Sequence, residues 1–325
     1  MIEYKSCFAQ SMQDMVDYRV SLGYTASTYE NRLKRLDTFI AENYPSETTL
    51  TKPMVLHYVA QQDGDKTSVR QNRAGIIRLF AEYLVSTGKD AYVLPKNYIS
   101  SVKNSFSSHI FTDRELTDLF LAVDNLPETE DILRRCTASV LLRLIYTCGL
   151  RPGEGLRLKR KNVNLDTGEI LITETKLKKE RVIVMHDDMN RLMRKYSIQV
   201  ILAGREQSSY FFPDPDLEAY TTAWLENILK ICYRNANPEI SAECLPRVRV
   251  YDLRHRFASA TLCRWLDEGK NLYNMLPYLR TYMGHSSLSQ TAYYIHILPE
   301  NLLKSCSIDW SKLDNIIPED DIWDE

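Results

Sequence analysis

The sequence predicts a mainly α protein with a small β-sheet: a helical N-terminal domain followed by an α+β domain. Three observations carry this. Apolar residues recur at helical spacing through residues 1–103. A polar stretch without helical periodicity, Pro95–Ile110, separates them from a second helical series. Within that second series lie two short β-type runs, Glu169–Glu174 and Arg181–Met185. At 325 residues the chain is long enough to bury two separate cores.

Taken in order, Phe8–Leu22 places Met12, Met15, Val16 and Val20 at helical spacing and stops at Gly23. Ser27–Tyr44 puts Tyr29, Leu33, Leu36, Phe39 and Ile40 on one face and Arg32, Lys34 and Arg35 on another. Thr51 is positioned to cap a third helix, with Pro53 in its first turn. Ser68–Ser86 turns Ile76, Ile77, Phe80, Tyr83 and Leu84 inward and leaves Arg70, Arg73 and Arg78 outward. Those basic faces suit either phosphate contact or plain solvation. The expected division is a helical domain over 1–103, a linker over 104–111, an α+β domain over 112–300 and a tail over 301–325.

The second domain opens with Thr112-Asp-Arg-Glu115, a capping box. Asp131–Cys148 is a long, largely apolar helix ended by Gly149, which suits a left-handed cap. The two β-type runs are joined by a turn, Thr175-Lys-Leu-Lys-Lys-Glu180. Leu217–Ala236, Arg254–Asp267, Asn271–Met283 and Ser289–Leu298 read as further helices.

Composition excludes several classes. Hydrophobic content of 44% and charged content of 26% are those of an ordinary globular protein, and no apolar run is long enough to span a bilayer. The N-terminus lacks the build of a signal peptide, and the seven scattered cysteines include no Cys-x-x-Cys, so reduced thiols in the cytoplasm are expected. The net charge of −2 hides a division: residues 1–299 carry 39 Lys and Arg against 35 Asp and Glu, and residues 300–325 carry 2 against 8. Nucleic-acid affinity follows local charge, so the mildly basic body is compatible with DNA and the acidic tail is not. No glycine-rich phosphate loop and no metal-ligand spacing is present, so neither a nucleotide cofactor nor a metal is expected.

Two arginines stand out. Arg151 follows Gly149-Leu150 and precedes Pro152, at a stiff corner, and Arg254 follows Asp252-Leu253. A guanidinium keeps its charge and grips two phosphate oxygens at once, though either residue taken alone reads first as a surface ion-pair partner. Glu154 is placed either to brace Arg151 or to cap the next helix. Lys176 sits at the tip between the β-runs, where a lysine either reaches a leaving oxygen or is merely solvated. His285 suits a phosphate hydrogen bond or a buried structural role. Among 20 tyrosines, Tyr294 gains weight from its place on a helix just after His285. Its neighbour Tyr293 points about 100° away, so one of the two faces a site and the other packs.

Together these segments resemble the tyrosine recombinase (phage integrase) family over roughly residues 110–300, in the order and spacing of the motifs. Cys148-Gly-Leu-Arg151 matches the family's Thr-Gly-Leu-Arg, with cysteine in the threonine's place. Thr175-Lys-Leu-Lys-Lys-Glu-Arg181 aligns with the hairpin Gly-Lys-Gly-x-Lys-x-Arg without its two glycines. Tyr251-Asp-Leu-Arg254 matches His-x-x-Arg, Met283-Gly-His285 matches Leu-Gly-His, and Thr291-Ala-Tyr-Tyr294-Ile-His296 matches Thr-x-x-Tyr-x-His. The resemblance implies a catalytic set of Arg151, Lys176, Tyr251, Arg254, His285 and Tyr294, with Tyr294 the nucleophile and Lys176 the general acid. Tyr251 departs from the pattern: a phenol donates a hydrogen bond but, with a pKa near about 10, does not exchange protons near neutrality as histidine does.

The resemblance also implies a C-shaped clamp of core-binding and catalytic domains around double-stranded DNA at core-type recombination sites. It implies a 3′-phosphotyrosyl intermediate, no cofactor, a DNA-bound tetramer and a nucleoid-associated protein away from membranes. Integration or excision of a mobile element, or resolution, is the expected task. A type IB topoisomerase-like nicking-closing enzyme and a catalytically silent DNA-binding accessory protein are the alternatives. The tail interleaves Ile308, Trp310, Leu313, Ile316, Ile317, Ile322 and Trp323 with acids, which suits docking on a neighbouring protomer or packing on its own chain.

Overall fold

The computed structural model describes residues 3–99, 108–173 and 180–296. The turn carrying Lys176, much of the expected linker and the acidic tail lie outside the described residues. The chain forms two compact units, 1–106 and 107–325.

The first unit is built from α1 (Ala9–Ser21), α2 (Ser27–Asn43), α3 (Lys52–Val59) and α4 (Thr67–Ser86). Met12, Met15, Leu33, Leu36, Ile40, Met54, Val55, Ile77 and Phe80 from all four helices form its core. Burial of such side chains is what holds amphipathic helices together, since propensity alone is weak. The buried Asp37 is tied down by the backbone N–H groups of Lys5 and Ser6, at 2.7 and 2.8 Å. Thr51 is the residue before α3, but its side chain makes no capping bond. The outward arginines of α4 are neither free nor simply solvated. Arg78 donates to the Leu94, Pro95 and Lys96 carbonyls at 2.8–3.1 Å, and Arg70 donates to Val59.

The second unit holds α5 (Asp113–Asp124), α6 (Arg134–Cys148), α7 (Pro152–Leu156), a short 3₁₀ turn (Arg160–Asn162) and three strands: β1 (Val163–Asn164), β2 (Glu169–Ile172) and β3 (Arg181–Val184). It continues with α8 (Asp187–Leu202), α9 (Thr222–Asn235), α10 (Val250–Asp267), α11 (Leu272–Met283) and α12 (Leu288–His296). The sheet is antiparallel in the order β1-β2-β3, with Ile170 opposite Ile183 and Ile172 opposite Arg181. Ile170, Ile172 and Ile183 point into the core that α5, α6, α8 and α9 complete.

The Thr112 capping box is present, with the Glu115 carboxylate accepting from the Thr112 N–H at 2.8 Å and the Thr112 hydroxyl from the Glu115 N–H. Other boundaries differ from expectation. α9 begins at Thr222, not Leu217, because Leu217 is held at φ 65 in a turn and Thr221 caps the helix. α10 begins four residues before Arg254, because the Asp252 carboxylate accepts the Arg249 N–H at 2.8 Å. α8 is an addition: Met189, Met193, Tyr196 and Val200 line its buried face at four-residue and three-residue steps. No helix among the described residues is long and apolar enough to cross a membrane.

Candidate active site

Two helices of the second unit end in the same way. α6 stops at Gly149 (φ 59) and α11 at Gly284 (φ 64), both in the left-handed region that only glycine enters without strain. A helix C-terminus exposes unpaired carbonyls and the negative end of the dipole, which attract cations. Here guanidinium groups occupy both ends. Arg254, fully buried on α10, donates to the Gly149 carbonyl at 2.6 Å and to the Met283 carbonyl at 2.7 Å. Arg151, at the start of α7, donates to the Gly284 carbonyl at 2.7 Å. The two arginines thus tie the end of α6 to the end of α11.

Glycine is required at 149 for space as well as conformation. A side chain there would meet the Phe257 ring, with Cε1 only 2.7 Å from the new Cβ.

Glu154 takes both roles left open by the sequence. Its carboxylate accepts the Arg151 backbone N–H at 2.9 Å, capping α7, and accepts the Arg151 guanidinium at 2.8 Å. It also receives both Nη groups of Arg181, at 3.0 and 2.7 Å. Burial would raise this carboxyl, but the hydrogen bonds and charge of Arg181, then those of Arg151, outweigh it and hold the pKa down at about 2. Arg181 aligns with the hairpin's closing arginine but is absent from the catalytic set that the sequence implies. Its sequence signal is that alignment alone, because only the tertiary fold brings β3 to α7.

His285 follows Gly284. Its Nε2 lies 3.0 Å from Arg254 and its Nδ1 2.8 Å from the Thr291 hydroxyl. Burial, followed by the charge of Arg254, Arg151 and Arg181, pushes its pKa down to about 3. Tyr294, on α12, stacks on the His285 ring with centroids 5.8 Å apart and planes 19° from parallel. Tyr294 is 2% exposed, and burial pushes its pKa up to about 12 against the opposing pull of Arg254. Tyr293 turns away, its hydroxyl 3.3 Å from Ser108. Tyr251 sits one turn before His255, with ring centroids 5.0 Å apart, and the Arg254 guanidinium carbon lies 6.0 Å from the Tyr251 ring centre. Five of the six expected residues therefore gather around the Gly149 and Gly284 ends; the sixth, Lys176, lies outside the described residues.

A phenol beside two fixed guanidinium groups suits nucleophilic attack at a phosphodiester, where negative charge builds on the phosphate oxygens. Among the described residues no group of three or more His, Cys, Asp or Glu side chains is placed to hold a metal ion.

Comparison with known proteins agrees. The model of the phage integrase family matches residues 110–301. A Sinorhizobium fredii protein named integrase/recombinase y4rE is 28% identical over 300 residues, covering 91% of this chain and 93% of that protein. The tyrosine recombinase XerC of Staphylococcus saprophyticus is 24% identical over 289 residues, covering 86% of this chain and 89% of its own. In fold, the chain resembles the XerH site-specific recombinase in its post-cleavage complex with a palindromic difH substrate, with a TM-score of 0.61 and 19% identity over 88% of this chain and 80% of that one. The chain belongs to the phage integrase family of tyrosine recombinases.

Proposed function

We propose that this recombinase cuts and rejoins double-stranded DNA at core-type sites through Tyr294. The Tyr294 oxygen bonds to the scissile phosphorus and the bond to the 5′ oxygen breaks, giving a 3′-phosphotyrosyl link and a free 5′-hydroxyl. The phenolic proton passes to water, and Lys176 supplies the proton that the 5′ oxygen takes up. A 5′-hydroxyl from a partner duplex then reverses the step. Bond energy is kept in the link, so no cofactor is needed. Arg151 and Arg254 hold the phosphate and stabilise the charge that builds on it. His285 orients Arg254, and the Tyr251 hydroxyl donates to the phosphate where relatives use histidine.

The observation that carries this reading is the convergence of Arg151, Arg254, His285 and Tyr294 on two facing helix ends. Assembly of four protomers on two duplexes, and service to a mobile element, belong to the same proposal. It is tested with a duplex nicked near the site, so that the freed strand diffuses away and the covalent complex accumulates. The wild-type chain should become trapped on the DNA and Tyr294→Phe should bind without an adduct. An adduct of undiminished yield in Tyr294→Phe would reject this assignment.

A further inference from the structure

Arg181 opens β3, where the ladder fixes it opposite Ile172, and its side chain is only 8% exposed. Both of its Nη groups engage Glu154, one on each carboxylate oxygen. The same carboxylate lies 2.8 Å from Arg151 and 4.0 Å from Arg254. Room for the guanidinium exists because residue 284 is glycine: a Cβ there would stand 3.0 Å from Arg181 Nη1.

The charges around Glu154 can be counted. Three guanidinium groups surround one carboxylate, which leaves a surplus of two positive charges. Without Arg181 the Glu154 carboxylate would face only Arg151 and Arg254, and the surplus would fall to one. In a buried site such a change is weakly screened. A pairing of this kind also frees Arg151 to use its remaining donors, because Glu154 is already satisfied by a two-pronged partner.

We propose that Arg181 is a positioning residue whose charge answers Glu154, so that Arg151 and Arg254 keep theirs for the DNA phosphate. This rests on the reading of the site as a phosphodiester-cleaving centre. Arg181 touches neither the nucleophile nor, in this account, the DNA; it acts through Glu154.

The test is the rate of covalent adduct formation on the nicked duplex by wild type, Arg181→Gln and the double variant Arg181→Gln with Glu154→Gln. Arg181→Gln lowers the surplus to one, and the double variant restores it to two. Groups that share one ion-pair network couple, so the expected pattern is a loss of about 30-fold in Arg181→Gln and a recovery of at least about fivefold in the double variant. On a duplex with a neutral methylphosphonate at the scissile position, the Arg181→Gln defect should shrink to about threefold or less, since less charge needs holding. A purely structural role would give a double variant slower than Arg181→Gln and the same defect on both substrates; either result overturns the inference. Should Arg181→Gln not melt cooperatively, the double variant still decides. A rate within about tenfold of wild type supports charge balance, and a greater loss rejects it. Absence of an adduct with the wild-type chain would instead bring down the parent reading.

Discussion

Arg254 Nη2 and His285 Nε2 meet at 3.0 Å inside the protein, and the other imidazole nitrogen lies 2.8 Å from the Thr291 hydroxyl. A guanidinium only donates, so Nε2 accepts and the ring proton sits on Nδ1, facing Thr291. His285 is therefore a neutral strut between α12 and Arg254.

That protonation state has a consequence for stability. The folded pKa of His285 is pushed down to about 3 and that of His255 to about 4, in both cases first by burial and then by neighbouring arginines. Unfolded histidine titrates near about 6.5. Between the two values the unfolded chain binds protons that the folded chain refuses, so stability falls as pH drops below about 6.5, by up to about 1.4 kcal/mol per pH unit for each group. Raised carboxyls such as Glu226 act in the opposite sense, so the slope is read as a difference between variants. Melting of wild type and His285→Gln between pH 7.5 and 5 should show the steeper loss in wild type. Gln can accept from Arg254 and donate to Thr291, so this variant should also retain adduct formation, whereas His285→Leu should lose most of it.

Glu154 offers a second test. Its side chain is 7% exposed and answers two arginines. Glu154→Gln removes the charge and leaves the buried Arg181 guanidinium without a counter-ion. Breaking a buried pair from one side costs about 3 kcal/mol. With a folded pKa of about 2 against an unfolded value near about 4.3, the carboxyl's stabilisation is complete above the unfolded value and is lost as pH falls toward 2. Denaturant melts at pH 7 should show the deficit, and melts at pH 3 should show wild type moving toward the variant.

Gly149→Ala should be costly out of proportion to one methyl group. The left-handed conformation costs a non-glycine residue about 1 kcal/mol, and the new Cβ must also displace the Phe257 ring, which stacks on Tyr282 with centroids 5.6 Å apart. A total loss of about 3 kcal/mol is expected from the strain and overpacking together. Gly204→Ala, at φ 69 with open space around it, carries the conformational cost alone and should lose about 1 kcal/mol.

The contrast between these glycines shows what the sequence discloses. Gly149 and the Thr112 box are legible because a helix end depends on a few neighbouring residues. The start of α10 is less so, since Asp252 serves Arg249 before the helix rather than Arg254 within it. α8 carries a face of Met189, Met193, Tyr196 and Val200, but Arg194, Lys195 and Gln199 interrupt it and blur its period in the sequence. The candidate site is legible through the order of its motifs, which picks out Arg151, Arg254, His285 and Tyr294 without any geometry. The joint of Arg181 to Glu154 was not, because 27 residues separate them and only the fold closes that distance.

Tyr251 gives the last prediction. It stands where relatives carry histidine, half-buried beside His255 and Arg254. If its hydroxyl donates to the phosphate, Tyr251→Phe removes one hydrogen bond to a charged group, worth about 1.5–3 kcal/mol, and adduct formation should slow by about 10- to 150-fold with little change in melting temperature. Tyr251→His should retain much of the rate at pH 7 and gain a new limb in the pH–rate profile near about 6.5, because imidazole changes charge there and a phenol does not. Equal rates for wild type and Tyr251→Phe would show that the phenol only packs against His255, and that this chain cleaves without a donor at the position.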